Sequence, residues 1–349
     1  MTSNLLTSSA IPTKIKAMQS KLVTADDLIK ICSLHSTAEF VSYLKNIYDY
    51  KEIFTHVNET MIHRGAIESM LTYSKYMDFL KIYQFADLST RAFLDIFFLR
   101  FEIDAIKECL RCAMDPDVFD FDANVFEDFF LNHTTIHPQQ LLGANDIKEF
   151  IQILSNTVYY DILKEFPPDN DHLFEMEAAL ELYFYKTYWN YQKKYLKGAN
   201  QKTIQRMIGA EIDLQNISLI FRLKANFNLP SSSIYRHILP ICGFLKKYQL
   251  INLMESSSNE EFETTLSKTY YGRYLPDFKM HPDHATELIL LKIQKLEVRK
   301  NPCSVAGILT FLYHKSNEIH TLTTALECIR YQLPTNEIRE YLKDYGNLL

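Results

Sequence analysis

Three glutamates with nearly constant spacing are the residues of this chain whose type suits general acid or base chemistry. Glu102, Glu211 and Glu318 each begin a Glu-Ile dipeptide, at intervals of 109 and 107 residues. The residues one and two helical turns beyond Glu102 and Glu318 are apolar, so these carboxylates are expected to face a core. An unpaired buried carboxylate is strongly penalised. We therefore interpret the three as structural, held by a tyrosine hydroxyl, a basic side chain or helix-end amides.

The middle glutamate differs from the other two in its helical neighbours. The face that continues from Glu211 carries Gln215, Ser218 and Arg222, and is therefore polar. If one of these helices also contacts a partner protein, this polar face is the expected contact. The motif that we assign to a structural signature comprises Glu102, Asp104, Glu211, Asp213 and Glu318.

The other residues that could do chemistry predict no catalytic, cofactor-binding or metal site. Cys109 and Cys112 form a CxxC inside a predicted helix, but a zinc site needs two further ligands and the sequence has no second pair. The stretch 281–284 (His-Pro-Asp-His) contains a proline, which breaks the helical alignment of its imidazoles. Phenylalanines interrupt the acidic segment 115–128, which we interpret as a solvated linker with an amphipathic helix. The sequence lacks phosphate-binding, nucleophile-elbow and dinucleotide motifs.

Composition disfavours several classes of partner. The 349 residues carry a formal charge of −6, which argues against nucleic acid because neutralising phosphates requires a basic surface. No apolar run approaches the ~20 residues that span a bilayer, so we expect a soluble protein without direct membrane insertion. The cysteines are scattered, as is typical of reduced thiols.

A second signature repeats with the same period and helps to define the elements around the glutamates. Phe40, Phe150 and Phe262 lie 110 and 112 residues apart, and each follows a helix-capping residue by four positions. Two signatures with one period predict a unit that occurs three times, and a unit of this length is a small domain rather than a solenoid repeat of 20–50 residues. We predict helical domains at 1–115, 116–230 and 231–349, since no strand pattern is found.

Long helices are expected to carry these signatures. Thr24 and Ser36 are predicted helix N-caps, and Pro12 and Pro302 are each predicted to stand in the first turn of a helix. The long helices are predicted at 61–85, 91–114, 175–196, 203–224, 286–298 and 302–332.

Three stretches together resemble one known family, the C/d-subunit family of V/A-type ATPases in its bacterial and archaeal style. The resemblance covers essentially the whole chain. It departs from the family pattern at His320 and Thr321, and at Ala105, where other residues are expected. The similar stretches are 11–18 with 22–27, 211–217 with Arg222 and Lys224, and 315–320 with 327–329.

This resemblance implies three related helical domains arranged as a funnel. It also implies a non-catalytic subunit of a rotary ATPase that uses or makes ATP while protons or sodium ions move through other subunits. Such a protein binds no cofactor. It joins the central stalk to the membrane proteolipid ring at the cytoplasmic face.

Two alternatives remain open at this level. The first is a general all-α scaffold that binds a partner helix in a groove between repeats. The second is an all-α enzyme that uses the aspartates of segment 115–128 to bind Mg²⁺. Co-purification with membrane subunits separates the first from the rotor adaptor, and calorimetric titration with Mg²⁺ tests the second.

Overall fold

The fold is known from a computed structural model that describes residues 2–115, 121–167, 172–225, 230–280, 285–302 and 304–342. Every regular element in these residues is helical, which confirms the all-α prediction. None of the helices in the described ranges combines the length and apolar composition that a bilayer span requires. The histidine pair at 281–284, Cys303 and residues 116–120 of the acidic segment lie outside the described residues.

The chain forms two compact units. The first comprises Met1–Phe184 together with the stretch that begins at Phe311, and the second comprises Tyr185–Thr310. The first half of the chain contains α1 Thr2–Gln19, α2 Ala25–Ile31, α3 Thr37–Leu44, α4 Tyr48–Phe54, α5 Arg64–Phe85, α6 Leu88–Leu94, α7 Ile96–Met114, α8 Glu127–His133, α9 Pro138–Leu142, α10 Ile147–Ile153 and α11 Val158–Leu163. The second half contains α12 Leu173–Tyr195, α13 Gly198–Ala225, α14 Ser231–Ile234, α15 Lys247–Glu255, α16 Asn259–Ser267, α17 Leu275–Met280, α18 Ala285–Lys300, α19 Ala306–Arg330 and α20 Thr335–Leu342.

Aromatic side chains fill much of the core of the first unit. Tyr76 of α5 stacks on Phe101 of α7, with 4.1 Å between ring centroids. Phe126, Phe129 and Phe130 pack around Tyr76 and are all buried. The described end of the acidic segment contains a helix with one buried face, as the predicted amphipathic helix requires, but this face belongs to the core and the segment is not simply a solvated linker. The phenylalanines that interrupt the acidic run explain the difference, because burying each large ring stabilises the fold by roughly 1.5–3 kcal/mol.

Ion pairs attach α7 to α12 within the first unit. Arg100 and Lys107 lie 2.8 and 2.7 Å from the carboxylate of Glu181, and Arg111 lies 2.7 Å from Glu177. Burial alone would raise the pKa of Glu181, but the charges of Arg100 and Lys107 outweigh it and lower that pKa to about 2.

The second unit is built on α13, which packs along α18. Its buried side chains include Ile204, Ile208 and Ile212, in register with helical turns. One turn before Asp213, the backbone of α13 meets the loop that precedes α15. A Cβ atom at Gly209 would stand 2.6 Å from Cα of Gly243, so only glycine permits this approach.

The helix termini test the capping predictions. Thr24 caps α2 through a complete capping box with Asp27, and Ser36 accepts the amide of Glu39 at the start of α3, which confirms both predicted caps. Both proline predictions are wrong. Pro12 lies inside α1, which begins at Thr2, and α19 begins at Ala306, after Pro302.

Candidate functional site: three buried carboxylates

The first buried carboxylate is Glu102 of α7. It is 9% exposed, and its Oε1 accepts the amide of Thr135 at 2.9 Å. Its Oε2 accepts the hydroxyl of Tyr159. Burial and the charge of Glu102 raise the pKa of Tyr159 well above its usual range, so this hydroxyl stays neutral and donates. The carboxylate therefore ties α7 to the loop before α9 and to α11.

The second buried carboxylate is Asp213 of α13, which is fully buried. It accepts three consecutive amides, those of Gly243 at 2.9 Å, Phe244 at 2.6 Å and Leu245 at 2.9 Å. The hydroxyl of Tyr271 donates a fourth hydrogen bond at 3.0 Å. Burial raises the pKa of Asp213, although these hydrogen bonds act in the opposite direction.

Two further residues of α13 hold the same part of the second unit. The side-chain amide of Asn216 donates to the carbonyl of Leu239 at 2.9 Å and accepts the amide of Leu239 at 3.0 Å. Lys224 donates to the carbonyl of Ser256 at 2.5 Å. The central stretch of the resemblance therefore binds the backbone on both sides of α15.

The third buried carboxylate is Glu318 of α19. It accepts the amide of Val23 at 2.5 Å, the hydroxyl of Tyr50 at 2.5 Å and the ammonium of Lys315 at 2.8 Å. Glu318 and Lys315 are both fully buried. Burial alone would lower the pKa of Lys315, but Tyr50, Glu318 and the other carboxylates around it hold that pKa well above its usual range.

The three clusters share one chemistry. In each, a carboxylate on a long helix binds at least one backbone amide and one tyrosine hydroxyl. These tyrosines follow the signature phenylalanines by nine or ten residues, and the phenylalanines themselves are buried. The pairs are Phe40 with Tyr50, Phe150 with Tyr159, and Phe262 with Tyr271.

Glu211 and Asp104 lie elsewhere. Glu211 is half-buried and accepts the hydroxyl of Tyr185 at 2.9 Å, and Gln215 donates to the same hydroxyl at 2.7 Å. Asp104 pairs with Arg100 at 3.0 Å. In the middle cluster, therefore, Asp213 makes the contacts that Glu102 and Glu318 make in theirs. The polar face beyond Glu211 reaches the surface, with Gln215 and Arg222 exposed and Ser218 half-buried.

The sequence predicted the kinds of partner, a tyrosine hydroxyl, a basic side chain or helix-end amides, but not which tyrosines or which amides these are. The signal for the tyrosines was available as an aromatic residue at an almost constant distance after each signature phenylalanine. No comparable signal marks the amides of Val23, Thr135 and Gly243, because every residue except proline has a backbone N–H.

The geometry suits attachment rather than catalysis. Each carboxylate is bonded from several sides, and its tyrosine partner is buried and neutral. Cys109 is likewise a core thiol, because it is fully buried and its pKa is raised by burial. In the part of the chain that the structure describes, no group of histidine, cysteine, aspartate and glutamate side chains is arranged to hold a metal ion.

A family model for the ATP synthase (C/AC39) subunit matches residues 11–341, which include all three clusters. The chain belongs to this family. The match confirms the resemblance that the opening, central and closing stretches suggested.

Curated relatives of this C/AC39 chain are named as the C subunit of A-type ATP synthase. The protein from Methanococcoides burtonii is 22% identical over 341 residues, 95% of this chain and 93% of its own length. That from Methanosarcina acetivorans is 21% identical over 318 residues, 89% of this chain and 85% of its own length. That from Methanosphaera stadtmanae is 27% identical over 221 residues, and the matched region spans only 56% of that protein and 58% of this chain.

Proposed function

We propose that this chain is a non-catalytic central-rotor adaptor of a rotary ATP synthase. It joins the central stalk to the membrane proteolipid ring at the cytoplasmic face, and it couples ATP turnover in other subunits to proton or sodium transport. The observation that carries the proposal is the family match over residues 11–341. The relatives, each named as the C subunit of an A-type ATP synthase, support the same assembly.

The internal organisation supports a mechanical role. An adaptor that transmits torque must resist twisting. Long helices joined by buried, multiply bonded carboxylates provide that resistance, because each broken bond would leave a buried polar group unpaired. Within the first unit, Glu318 accepts hydrogen bonds from Val23 and Tyr50 and so attaches these parts of the chain to α19. The clusters also support the proposed threefold repeat, and each joins residues from two of the domains proposed at 1–115, 116–230 and 231–349.

The test is affinity purification of the tagged chain from detergent-solubilised membranes of its own cells. We expect proteolipid and central-stalk subunits to co-purify, as identified by mass spectrometry. A tagged, unrelated cytosolic protein controls for non-specific capture. Recovery of soluble partners alone would contradict the adaptor role and favour the general scaffold.

The polar face of α13 is the proposed partner contact on this chain. Arg222 is exposed and forms no ion pair with any residue in the described ranges. We expect Arg222→Glu to reduce co-purification of rotor subunits about tenfold, the effect of ~1.4 kcal/mol at an interface. The melting temperature of the isolated chain should fall by only a few degrees, because reversing one charge in the last turn of α13 costs about 1 kcal/mol.

Lys202→Glu is the matched control for Arg222→Glu. Lys202 is also exposed on α13, and twenty residues at ~100° each place it on roughly the opposite side of the helix. Equal yields of rotor subunits from the two variants would remove Arg222 from the interface.

A further inference from the structure

The interior of the first unit holds a charged group with more carboxylates than cations. Lys315 contacts Asp49, lies 2.8 Å from Glu318, and lies 3.9 Å from Asp78. The side chains of these acids are at most 8% exposed. Lys81 adds a second cation at 3.0 Å from Asp78, but its own side chain is 42% exposed. Three carboxylates therefore face two ammonium groups, and one negative charge is left without a counterion.

Asp78 is the least well bonded of the three acids. Its Oδ1 accepts from Lys81, whereas its Oδ2 accepts no hydrogen bond from the described residues. Glu318 and Asp49 both accept hydrogen bonds from Lys315. Asp78 is 2% exposed, so water cannot readily supply the hydrogen bond that its Oδ2 lacks. Burial, assisted by the negative charge of Asp49, raises the pKa of Asp78 to about 6, although the charges of Lys315 and Lys81 act in the opposite direction.

We propose that Asp78 is a buried proton-binding site that strengthens the attachment of α4 and α5 to α19. A proton on this carboxyl removes the charge that Lys315 cannot neutralise, and Lys315 then serves Asp49 and Glu318 alone. When the proton is lost, three carboxylates again share one fully buried cation, and the attachment weakens. This inference is independent of the proposed role in a rotary ATPase.

The charged and titratable groups around Asp78 determine the sign of the effect. Asp49 of α4, Lys81 of its own helix α5 and Lys315 of α19 act on Asp78 directly. Tyr50 of α4 and Glu318 of α19 bind the ammonium of Lys315. Because the pKa of Asp78 is higher in the folded protein than its usual 3.8, its contribution to stability is complete below pH 3.8 and is lost as pH rises through about 6. Its neutral form favours folding by up to about 100-fold in the unfolding equilibrium, at tenfold for each unit of pKa.

The experiment compares unfolding of the wild-type chain and Asp78→Asn between pH 4.5 and pH 7.5. Asparagine has nearly the same shape and stays neutral, so it imitates the protonated side chain. We expect the variant to lose the part of the pH dependence that weakens the wild type towards pH 7, and to be the more stable protein at pH 7. Infrared difference spectra should show a protonated carboxylic acid at pH 5 that is absent from Asp78→Asn.

Asp161→Asn is the matched control, since its carboxylate is 73% exposed, and it should follow the wild type at every pH. His314 precedes Lys315 and is also buried, so His314→Gln tests whether it titrates in this range instead. An Asp78→Asn variant with the wild-type pH dependence and the same infrared band would overturn the proposal. So would a pH dependence that disappears only in His314→Gln.

Discussion

Replacing Lys315 by methionine is expected to lower the free energy of unfolding of the first unit by about 3–5 kcal/mol at pH 7. Glu318, Asp49 and Asp78 share the ammonium of Lys315. Among the described residues it is the only fully buried ammonium near these acids. Methionine matches much of its length but carries no charge. Breaking a buried ion pair from one side is costly, because the remaining carboxylates stay buried without their cation. Denaturant unfolding of the two proteins measures the difference.

Lys81→Met is the matched control for this prediction. Lys81 also pairs with Asp78, but its side chain is 42% exposed, so water and salt already screen the pair. We expect a loss of about 1 kcal/mol or less. At pH 4 the effect of Lys315→Met should shrink, because Asp78, whose pKa burial raises to about 6, is then protonated and no longer needs the cation. Equal effects of the two substitutions would show that burial does not govern this cluster.

Replacing Gly243 by alanine is expected to destabilise the second unit by about 3–5 kcal/mol. A Cβ atom at this position would stand 2.3–2.4 Å from the backbone of Gly209, and backbone atoms of a helix cannot move aside cheaply. The loop would have to withdraw from α13. Its withdrawal would break the bonds from the amides of Gly243, Phe244 and Leu245 to Asp213.

Hydrogen exchange of the three loop amides and thermal unfolding together test the Gly243→Ala prediction. Gly307→Ala is the control, because nothing lies within 4 Å of a Cβ atom at that position in α19. Alanine there should be neutral or stabilise by up to about 1 kcal/mol, through its higher helix propensity. Unchanged protection of the loop amides in Gly243→Ala would contradict the role assigned to the Gly209–Gly243 contact.

The sequence predicted the helices well because their signals are local. Capping residues such as Thr24 and Ser36 act within one turn of their own backbone, and the long apolar patterns mark α5, α7, α12, α13, α18 and α19 to within a few residues at most termini. The failures at Pro12 and Pro302 arise because proline is favoured in a first turn without being restricted to it.

The different contacts of Glu211 could not be predicted from the sequence. The Glu-Ile pattern aligns Glu211 with the other glutamates, but Asp213 accepts the loop amides. An aspartate is one methylene shorter than a glutamate, so it reaches only a backbone that comes very close. The contact between Gly209 and Gly243 brings that backbone close, and these glycines are 34 residues apart in the sequence. A repeat pattern carries no information about such a pairing.

The bond between Val23 and Glu318 also constrains the order in which the chain can fold during synthesis. Its two ends are 295 residues apart. At roughly 5–20 residues per second, a ribosome delivers the second end about 15–60 s after the first. Helices α2 to α4 are therefore synthesised well before Glu318, and until then the amide of Val23 and the hydroxyl of Tyr50 lack the partner that they have in the folded protein. During this interval both groups can form hydrogen bonds with water but not with Glu318.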